Sequence, residues 1–463
     1  MTHRKAAWLL FLATRAVGLV ADALVLAAAY WGAFLLRFDF QPPRWGWRAV
    51  ALSFVTVVAV HLAALLACGC YRQAWRRFST RDLPRYLLAT ALAAAVLTGL
   101  RFLMPVETFS HVRPPYSITL ITFALAFLGL VGWRIVWSWL ALSRVRVDAL
   151  LERGVRHMDS SAAVAFLRGK TVMVTGAGGS IGSELVRQVA AAGPKLLLLV
   201  ERGENALYEI DRELRTVLRA ACPTKPLMVD INDAARMADV FNFYRPEIVL
   251  HAAAYKHVPM VELNPREGER NNTAATRNLA ALAKRFKVAR FVLISTDKAV
   301  NPVSVMGQTK RAAERAVLAL NEADGGTSFC AVRFGNVLGS SGSVVPLFRE
   351  QIARHVPVTV THPDMKRYFM TVEEAVGLVL QAASRSEKAI YTLDMGEPVR
   401  IVDLAEQMIR QAGYRPYVDI PIVFTGIRPG EKLFEELDIS EKSAYKTDMA
   451  RIYVTKVRDE AQI

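Results

Sequence analysis

Between Ala49 and Tyr71 the chain runs for 23 residues without an Asp, Glu, Lys or Arg, and from Pro114 to Trp133 for another 20. An α-helix needs about 20 apolar residues to cross the hydrocarbon core of a bilayer, and backbone placed there must satisfy its own hydrogen bonds. These two runs confine the first part of the chain to membrane helices. Two weaker stretches join them: Val17–Leu36, interrupted by Asp22, and Tyr86–Leu100, which needs to run past Arg101 to Met104. Four such runs in a row predict a transmembrane anchor of about four helices over residues 1–142.

The net charge of +16 would by itself suit a nucleic-acid binder, but its placement excludes one. The first 150 residues hold 16 Lys and Arg against 5 Asp and Glu, and 15 of those cations are Arg, most in short clusters between the apolar runs. The remaining 313 residues carry a net charge of only +5. Twelve cations fall on one side of the expected spans (Arg4, Lys5, Arg15; Arg72, Arg76, Arg77, Arg81, Arg85; Arg144, Arg146, Arg153, Arg156). Five fall on the other (Arg37, Arg44, Arg48; Arg101, Arg113), so both termini are expected in the cytoplasm. His3–Ala13 has the look of a signal-peptide start, but no small-residue cleavage site precedes the further spans, and the anchor is expected to stay on the protein. Within the spans Asp22 and His61 stand out. A proton path needs several facing polar groups, so two suit an anchor with one interhelix polar contact better than a transporter. Cys68, Cys70, Cys222 and Cys330 show neither disulfide-framework nor zinc spacing, and no metal site is expected.

Past Leu142 the composition changes. Residues 143–168 read as a charged linker and lead-in helix. From residue 169 to 463, apolar runs at Thr171–Thr175, Leu196–Val200, Ile248–His251, Phe291–Thr296 and Phe329–Phe334 alternate with helical patterns. That alternation predicts βαβ units, hence a Rossmann-like, doubly wound α/β fold with a parallel sheet covered on both faces. The first strand runs into Thr175-Gly176-Ala-Gly-Gly179-Ser180-Ile181-Gly182 and then a helix. Gly176, Gly179 and Gly182 are spaced G-x-x-G-x-x-G, which permits a tight turn and a close approach of backbone to a pyrophosphate at the helix N-terminus. Glu201 closes the next strand, 19 residues beyond Gly182. A carboxylate there accepts hydrogen bonds from the adenosine ribose and repels a 2′-phosphate, which favours NAD; Arg202 beside it is the feature that would suit NADP. Asp230-Ile231 are expected near the adenine, and His251-Ala252-Ala253-Ala254 under the cofactor.

These motifs are followed in order by Tyr255-Lys256-His257-Val-Pro259, Ser295-Thr296-Asp297-Lys298, Met306-Gly-Gln-Thr-Lys310, Arg333-Phe-Gly-Asn336, Arg367-Tyr-Phe-Met-Thr371 and Arg428-Pro-Gly-Glu431-Lys432. Together they resemble the membrane-bound nucleotide-sugar 4,6-dehydratases of bacterial polysaccharide biosynthesis, in the extended short-chain dehydrogenase/reductase superfamily. The resemblance is close from about Arg168 to Glu436 and looser over the anchor. One departure is clear: larger members carry a second nucleotide-binding-like domain between anchor and catalytic domain, for which the linker leaves no room.

The resemblance implies a set of roles. Most of the superfamily uses Tyr-x-x-x-Lys, where this chain has Met306-x-x-x-Lys310. A thioether cannot shuttle a proton, and on residue chemistry alone Met306 suggests a core methionine or an inactive protein. The membrane-bound dehydratases are similar in having Met there, and place acid–base work on a Thr-Asp-Lys matched by Thr296, Asp297 and Lys298. Read without that context, the same residues are a helix cap with a surface ion pair. Lys298 is then expected to remove the C5 proton of a UDP-hexose, Asp297 to protonate the departing C6 hydroxyl, Thr296 to bind the C4 oxygen, and Lys310 to hold the nicotinamide ribose. Lys256, His257, Asn336, Ser340, Val344 and Pro346 are expected around the sugar and uridine, Arg428 and Arg367 on the diphosphate, and Glu431 on the uridine ribose.

The resulting expectation is an NAD-dependent UDP-N-acetylglucosamine 4,6-dehydratase, multi-pass in the bacterial inner membrane with its catalytic domain in the cytoplasm, and a homo-oligomer. The rivals are a nucleotide-sugar 4-epimerase of the same fold and a non-catalytic NAD-binding membrane scaffold.

Overall fold

The computed structural model of the chain describes residues 2–39, 47–71, 82–103, 114–143, 161–220, 222–321, 326–437, 439 and 444–455. Met104, most of the expected linker (144–160) and the loop cations Arg44, Arg72, Arg76, Arg77, Arg81, Arg113, Arg144, Arg146, Arg153 and Arg156 lie outside the described residues. The chain divides into two compact units, one up to Val145 and one from Arg146 onward apart from the short segment Ile409–Arg415.

The first unit holds four helices, Thr2–Arg37, Trp47–Ala67, Leu83–Leu103 and Tyr116–Ser143. Among the described residues three contain stretches long and apolar enough to cross a membrane: Val17–Arg37, Leu83–Leu103 and Tyr116–Val136. The second of the four expected helices is Trp47–Ala67, 21 residues long. The charge-free run from Ala49 does not stay helical to its end: the helix stops at Ala67, and Cys68–Tyr71 form a turn with Gly69 at φ 71. The apolar stretch among that helix's described residues is Ser53–Ala67. The whole helix of 21 residues rises ~31 Å, about the thickness of the ~30 Å hydrocarbon core.

The first and fourth helices approach closely enough that a Cβ on Gly129 would lie 2.7 Å from the Val25 side chain, the small-residue contact by which apolar helices pack without water. Leu26, Tyr30, Phe34, Leu65, Ala126 and Leu130 fill the interior, while Val20, Leu24, Val55, Leu88, Leu120 and Leu128 face outward. Helices apolar on all sides belong in a large core or a membrane. The fourth helix also runs past its expected end, which brings Arg134 inside the unit. Arg134 donates through Nη1 and Nη2 to Asp22 Oδ1 and Oδ2 at 2.7 Å each, and Tyr71 Oη donates to Oδ2 at 2.7 Å. Trp133 Nε1 reaches Oδ1 at 3.2 Å, and the guanidinium lies against the rings of Tyr86 and Trp133. The polar contact expected at Asp22 is thus a buried ion pair whose second charge lies one residue beyond the run ending at Trp133. His61, by contrast, bonds its own helix, with Nδ1 2.8 Å from the Val57 carbonyl oxygen.

Among the described residues the second unit is built on a nine-stranded sheet. Six are labelled β1 Thr171–Thr175, β2 Leu196–Glu201, β3 Thr224–Met228, β4 Ile248–His251, β5 Arg290–Ile294 and β6 Ser328–Arg333. The sheet order is β3-β2-β1-β4-β5-β6, followed by Ile390–Leu393 in parallel and then Ile452–Thr455 and Ala444–Lys446 antiparallel. Chain direction in the order reverses between β1 and β4, the switch point where parallel α/β sheets bind ligands beyond their carboxyl ends. β1, β4 and β5 are buried at every position, as strands covered by helices on both faces must be. One apolar cluster (Leu185, Val189, Leu197, Leu250, Val379) and a second (Phe241, Leu279, Phe291, Phe329) make up the core. Three of the expected strands move slightly: β2 extends to Glu201, and β5 and β6 each start one residue early, leaving Thr296 and Phe334 beyond their ends.

Candidate active site

The glycine-rich turn leaves β1 at Thr175 and enters the helix Ser180–Ala191. Gly176 has φ 67, and a Cβ there would lie 2.8 Å from the backbone of Ala253; a Cβ on Gly182 would lie 1.9 Å from the Gly176 carbonyl oxygen. No side chain can enter the turn without moving backbone, so the loop stays flat against the β4 end. Gly179 is the helix N-cap and no side chain caps the first turn, so its amides suit an anionic group. The residues around the turn hold one another. Thr175 Oγ1 meets His251 Nδ1 at 2.7 Å, and Ser180 Oγ accepts from the Ser341 amide at 3.0 Å. Ile181 packs on the core, and the Ala252 amide donates to the Thr175 carbonyl oxygen, with Ala252–Ala254 half-buried.

Glu201 accepts from the amides of Gly178, Arg202 and Gly203 at 3.2, 2.9 and 3.0 Å. It braces the turn with part of its lone-pair capacity, leaving room to accept from a ribose hydroxyl. Arg202, the expected NADP feature, donates to Tyr255 Oη at 2.8 Å and lies over that ring. Asp230 Oδ1 accepts from the amide and Nδ2 of Asn232, and Ile231 is buried beside it. Burial pushes the Asp230 carboxyl up, but the Asn232 donors together with Arg202 and Arg270 outweigh it and hold it below its ordinary value. A flat glycine cradle, an uncapped helix start and a carboxylate at the next strand end fit a dinucleotide.

Beyond β5, Thr296 caps a single 3₁₀ turn, Asp297–Ala299. Asp297 is buried, and its Oδ1 receives Thr296 Oγ1 at 2.9 Å and Lys298 Nζ at 3.0 Å. Lys298 Nζ also donates to Asn336 Oδ1 at 3.1 Å. Asp297 Oδ2 is buried with no hydrogen-bond partner among the described residues, and Gly335 leaves it space, since a Cβ there would sit 3.0 Å away. An orphaned carboxylate oxygen beside a lysine, in a gap kept open by a glycine, leaves a hydrogen-bonding position unfilled in the site. The bland alternative, a surface ion pair, does not hold: this pair is largely buried.

The helix Val305–Leu318 starts against this turn. Ser304 caps it through the Gly307 amide, and a Cβ on Gly307 would lie 2.3 Å from the Lys298 carbonyl oxygen. Met306 is buried with Val258 and Val261. Lys310, one turn on, is buried and donates to the Ile294 carbonyl oxygen at 2.6 Å; burial pushes its amine down to about 8 against the pull of Glu314. Glu314 pairs bidentately with Arg333 at 2.8 and 2.6 Å and accepts from Ser295, so the ends of β5 and β6 are tied to this helix.

The expected substrate residues divide. Asn336 reaches Lys298 as described. Lys256 and His257 are exposed where helix Val258–Leu263 begins, and Gly342 (φ 68) lies against the His257 ring. Ser340 is buried in the same loop, and Val344 and Pro346 open the helix Val344–Ala353. Arg428 is exposed and pairs with Glu431 at 2.8 Å. Arg367 is buried, and its Nη1 and Nη2 donate to the carbonyl oxygens of Lys366, Leu433 and Lys432.

Two features escaped the sequence. Asn271 and Asn272, on a π-helical turn Glu269–Ala274, form a buried amide network: Asn272 clasps the Tyr255 backbone at 2.8 and 3.0 Å and reaches Thr309, while Asn271 receives Asn232. Adjacent asparagines inside a helical pattern, where their side chains compete with backbone, were the available signal. Glu435, three residues past Lys432, is buried beside Arg367. Nothing in its local pattern marks it.

The reversed strand order, the glycine turn at the switch point and the polar turn two strands away define a Rossmann-fold protein of the extended short-chain dehydrogenase/reductase type. A family model described as "polysaccharide biosynthesis protein" matches residues 172–457, and the chain belongs to that family. It is similar to the capsular polysaccharide biosynthesis protein CapD of Staphylococcus aureus, 52% identical over 297 residues, which cover 64% of this chain and 49% of CapD. The chain spans about half the length of that relative. It is 32% identical over 291 residues to a UDP-glucose 4-epimerase of Rickettsia canadensis, covering 61% of this chain and 82% of the epimerase. Among solved structures, Pen from Bacillus thuringiensis matches with a TM-score of 0.57 and 31% identity, over 63% of this chain and 90% of Pen.

Proposed function

We propose that the chain is a membrane-anchored, NAD-dependent UDP-N-acetylglucosamine 4,6-dehydratase that supplies a UDP-4-keto-6-deoxy-hexosamine to glycan or surface polysaccharide synthesis. The observation that carries the reading is the Thr296–Asp297–Lys298 turn, with its buried carboxylate, adjoining lysine and open Oδ2. NAD, when bound at the glycine turn, supplies reversible hydride acceptance, and Glu201 and Lys310 are the side chains that would hold its two riboses. The protein supplies position and proton transfer. Lys298 in its neutral form takes the C5 proton of a 4-keto sugar, whose carbonyl acidifies it. Asp297 in its protonated form gives a proton to the C6 hydroxyl, which leaves as water. Thr296 hydrogen-bonds the C4 oxygen, and Asn336 keeps Lys298 directed at the sugar. Arg428, Glu431, Ser340, Val344, Pro346, Lys256 and His257 would line the nucleotide side. The apolar helices hold the protein in the inner membrane with the catalytic unit in the cytoplasm, as a homo-oligomer.

The similarity to a UDP-glucose 4-epimerase supports a second reading, 4-epimerisation. Met306 weighs against it, because a buried thioether stands where a tyrosine would move the proton.

The test uses the full chain in detergent with UDP-N-acetylglucosamine and catalytic NAD⁺, followed by mass spectrometry and proton NMR. Loss of one water with a new C6 methyl signal and no net NADH is expected. An unchanged mass with a new C4 epimer establishes the epimerase instead. No reaction with any UDP- or dTDP-hexose, despite NAD binding, leaves a scaffold.

A further inference from the structure

We propose that Arg202 and Tyr255 form a bridge across the cofactor groove that must open for the dinucleotide to enter or leave, and so holds it in place through an internal redox cycle. This rests on the NAD-dependent dehydratase reading and deepens it.

The sheet order places β2 and β4 on either side of β1, and the glycine turn leaves β1 between them. Arg202 is the first residue past β2 and Tyr255 the fourth past β4. The same two segments wall the turn. A Cβ on Gly178 would lie 2.5 Å from the Ala206 side chain, and one on Gly176 would lie 2.8 Å from the Ala253 backbone. Ala206 follows Arg202 by four residues, and Ala253 precedes Tyr255 by two. Arg202 Nη1 donates to Tyr255 Oη at 2.8 Å, and the guanidinium carbon lies 4.9 Å from the centre of that ring. The contact therefore joins the two walls at the carboxyl end of the sheet, and a dinucleotide seated on the turn lies beneath it.

A cation stacked on an aromatic ring at the surface is ordinarily worth little and needs no function. Both ends of this contact, however, are fixed in advance. Asn272, fully buried, accepts from the Tyr255 amide at 2.8 Å and donates to its carbonyl oxygen at 3.0 Å. It also reaches Thr309, on the helix that carries Lys310. At the other end Glu201 Oε1 accepts from the amides of Arg202 and Gly203, while its Oε2 accepts from Gly178. One carboxylate thus ties the turn to the arginine, and one amide ties the tyrosine to the helix of Lys310. With both backbones held, only side-chain rotamers remain to be ordered when the bridge closes. Because both ends belong to the protein, the same contact gates entry and exit. The cycle returns to C6 the hydride taken from C4, so a bridge that opened freely would strand a 4-keto sugar.

The test measures exchange and not turnover alone. Full-length parent, Tyr255→Phe, Arg202→Ala, Arg202→Lys, and Arg202→Ala combined with Tyr255→Phe are prepared in detergent. Binding of radiolabelled NAD⁺ is followed by rapid filtration, and its release by a chase with unlabelled NAD⁺. Tyr255→Phe removes a single oxygen and Arg202 is exposed, so the variants are expected to fold. Tyr255→Phe and Arg202→Ala are each expected to raise both the release and the association rate about tenfold, the weight of one charge-assisted hydrogen bond, with little change in equilibrium affinity. The combined variant should match the single ones, since either substitution removes the whole bridge. Arg202→Lys keeps a charged donor and stays nearer the parent. During turnover with UDP-N-acetylglucosamine, NADH should appear in solution with the bridge-free variants and not with the parent. Folded single variants that exchange at the parent's rate overturn the inference. So does faster release with unchanged association, which marks a contact to the bound cofactor, and so does a combined variant whose effect is the product of the single ones. Faster exchange in both directions in a chain that dehydrates no UDP-hexose overturns the dehydratase reading and leaves the bridge standing.

Discussion

His251 makes the α/β unit sensitive to acid in a way that can be worked out from its surroundings. It ends β4 fully buried, with Nδ1 2.7 Å from Thr175 Oγ1 and Nε2 2.9 Å from Thr276 Oγ1. Thr276 gives its hydroxyl hydrogen to the Asn272 carbonyl oxygen, so its oxygen accepts from His251 Nε2–H, and Nδ1 is left to accept from Thr175. The ring is thus neutral and doubly bonded. Burial, helped by Lys310, pushes its pKa down to about 3 from the ordinary 6.5. Between those values the unfolded chain binds a proton that the folded chain refuses. The stabilisation is therefore complete above about pH 6.5 and is lost as pH falls toward 3. Between pH 7 and pH 5 the linkage relation gives a loss of about 1.9 kcal/mol from this residue alone. His251→Gln keeps a donor and an acceptor but does not titrate. Urea unfolding of the full chain, followed by pulsed labelling of the buried Cys330 thiol in β6, reads this unit by itself. The parent should lose about 1.9 kcal/mol more than the variant between the two pH values. If the two lose stability in parallel, to within about 0.5 kcal/mol, the neutral buried histidine is wrong.

Three further contacts give outcomes of the same kind. Glu314→Ala takes away the carboxylate that Arg333 and Ser295 share and should cost about 3–5 kcal/mol in the same labelling assay, whereas Glu314→Met with Arg333→Met should recover most of it. A double variant no better than the single would contradict this. Gly182→Ala places a methyl 1.9 Å from the Gly176 carbonyl oxygen and should lower NAD affinity at least tenfold by calorimetry; unchanged affinity would mean the turn does not carry the cofactor. Asp22→Ala strands Arg134 inside the helical unit and should lower the melting temperature in detergent far more than Asp22→Leu with Arg134→Leu, as measured by circular dichroism.

The parallel strands β1, β2, β4, β5 and β6 were legible because burial on both faces demands an unbroken apolar run, which a sequence displays openly. β3 was not. It lies at the sheet edge, is only partly buried, and contains Lys225 and Pro226, so its pairing with β2 rests on position and not on pattern. Ile390–Leu393 and Ile452–Thr455 are short and take their partners from far along the chain.

The site divides along the same line. The glycine spacing, Glu201 and the Thr-Asp-Lys turn are local: strand end, turn and helix start place them, and those depend on neighbouring residues. Which charges are buried together is decided by the path of the whole chain. Arg134 meets Asp22 across 112 residues, Arg333 reaches back to Glu314, and Arg367 is drawn into backbone carbonyls 65 and 66 residues away. A charged side chain costs little in water and much inside the protein. Its sequence neighbours do not reveal which of these it will meet, and for Asp297 and Glu435 only the tertiary structure does.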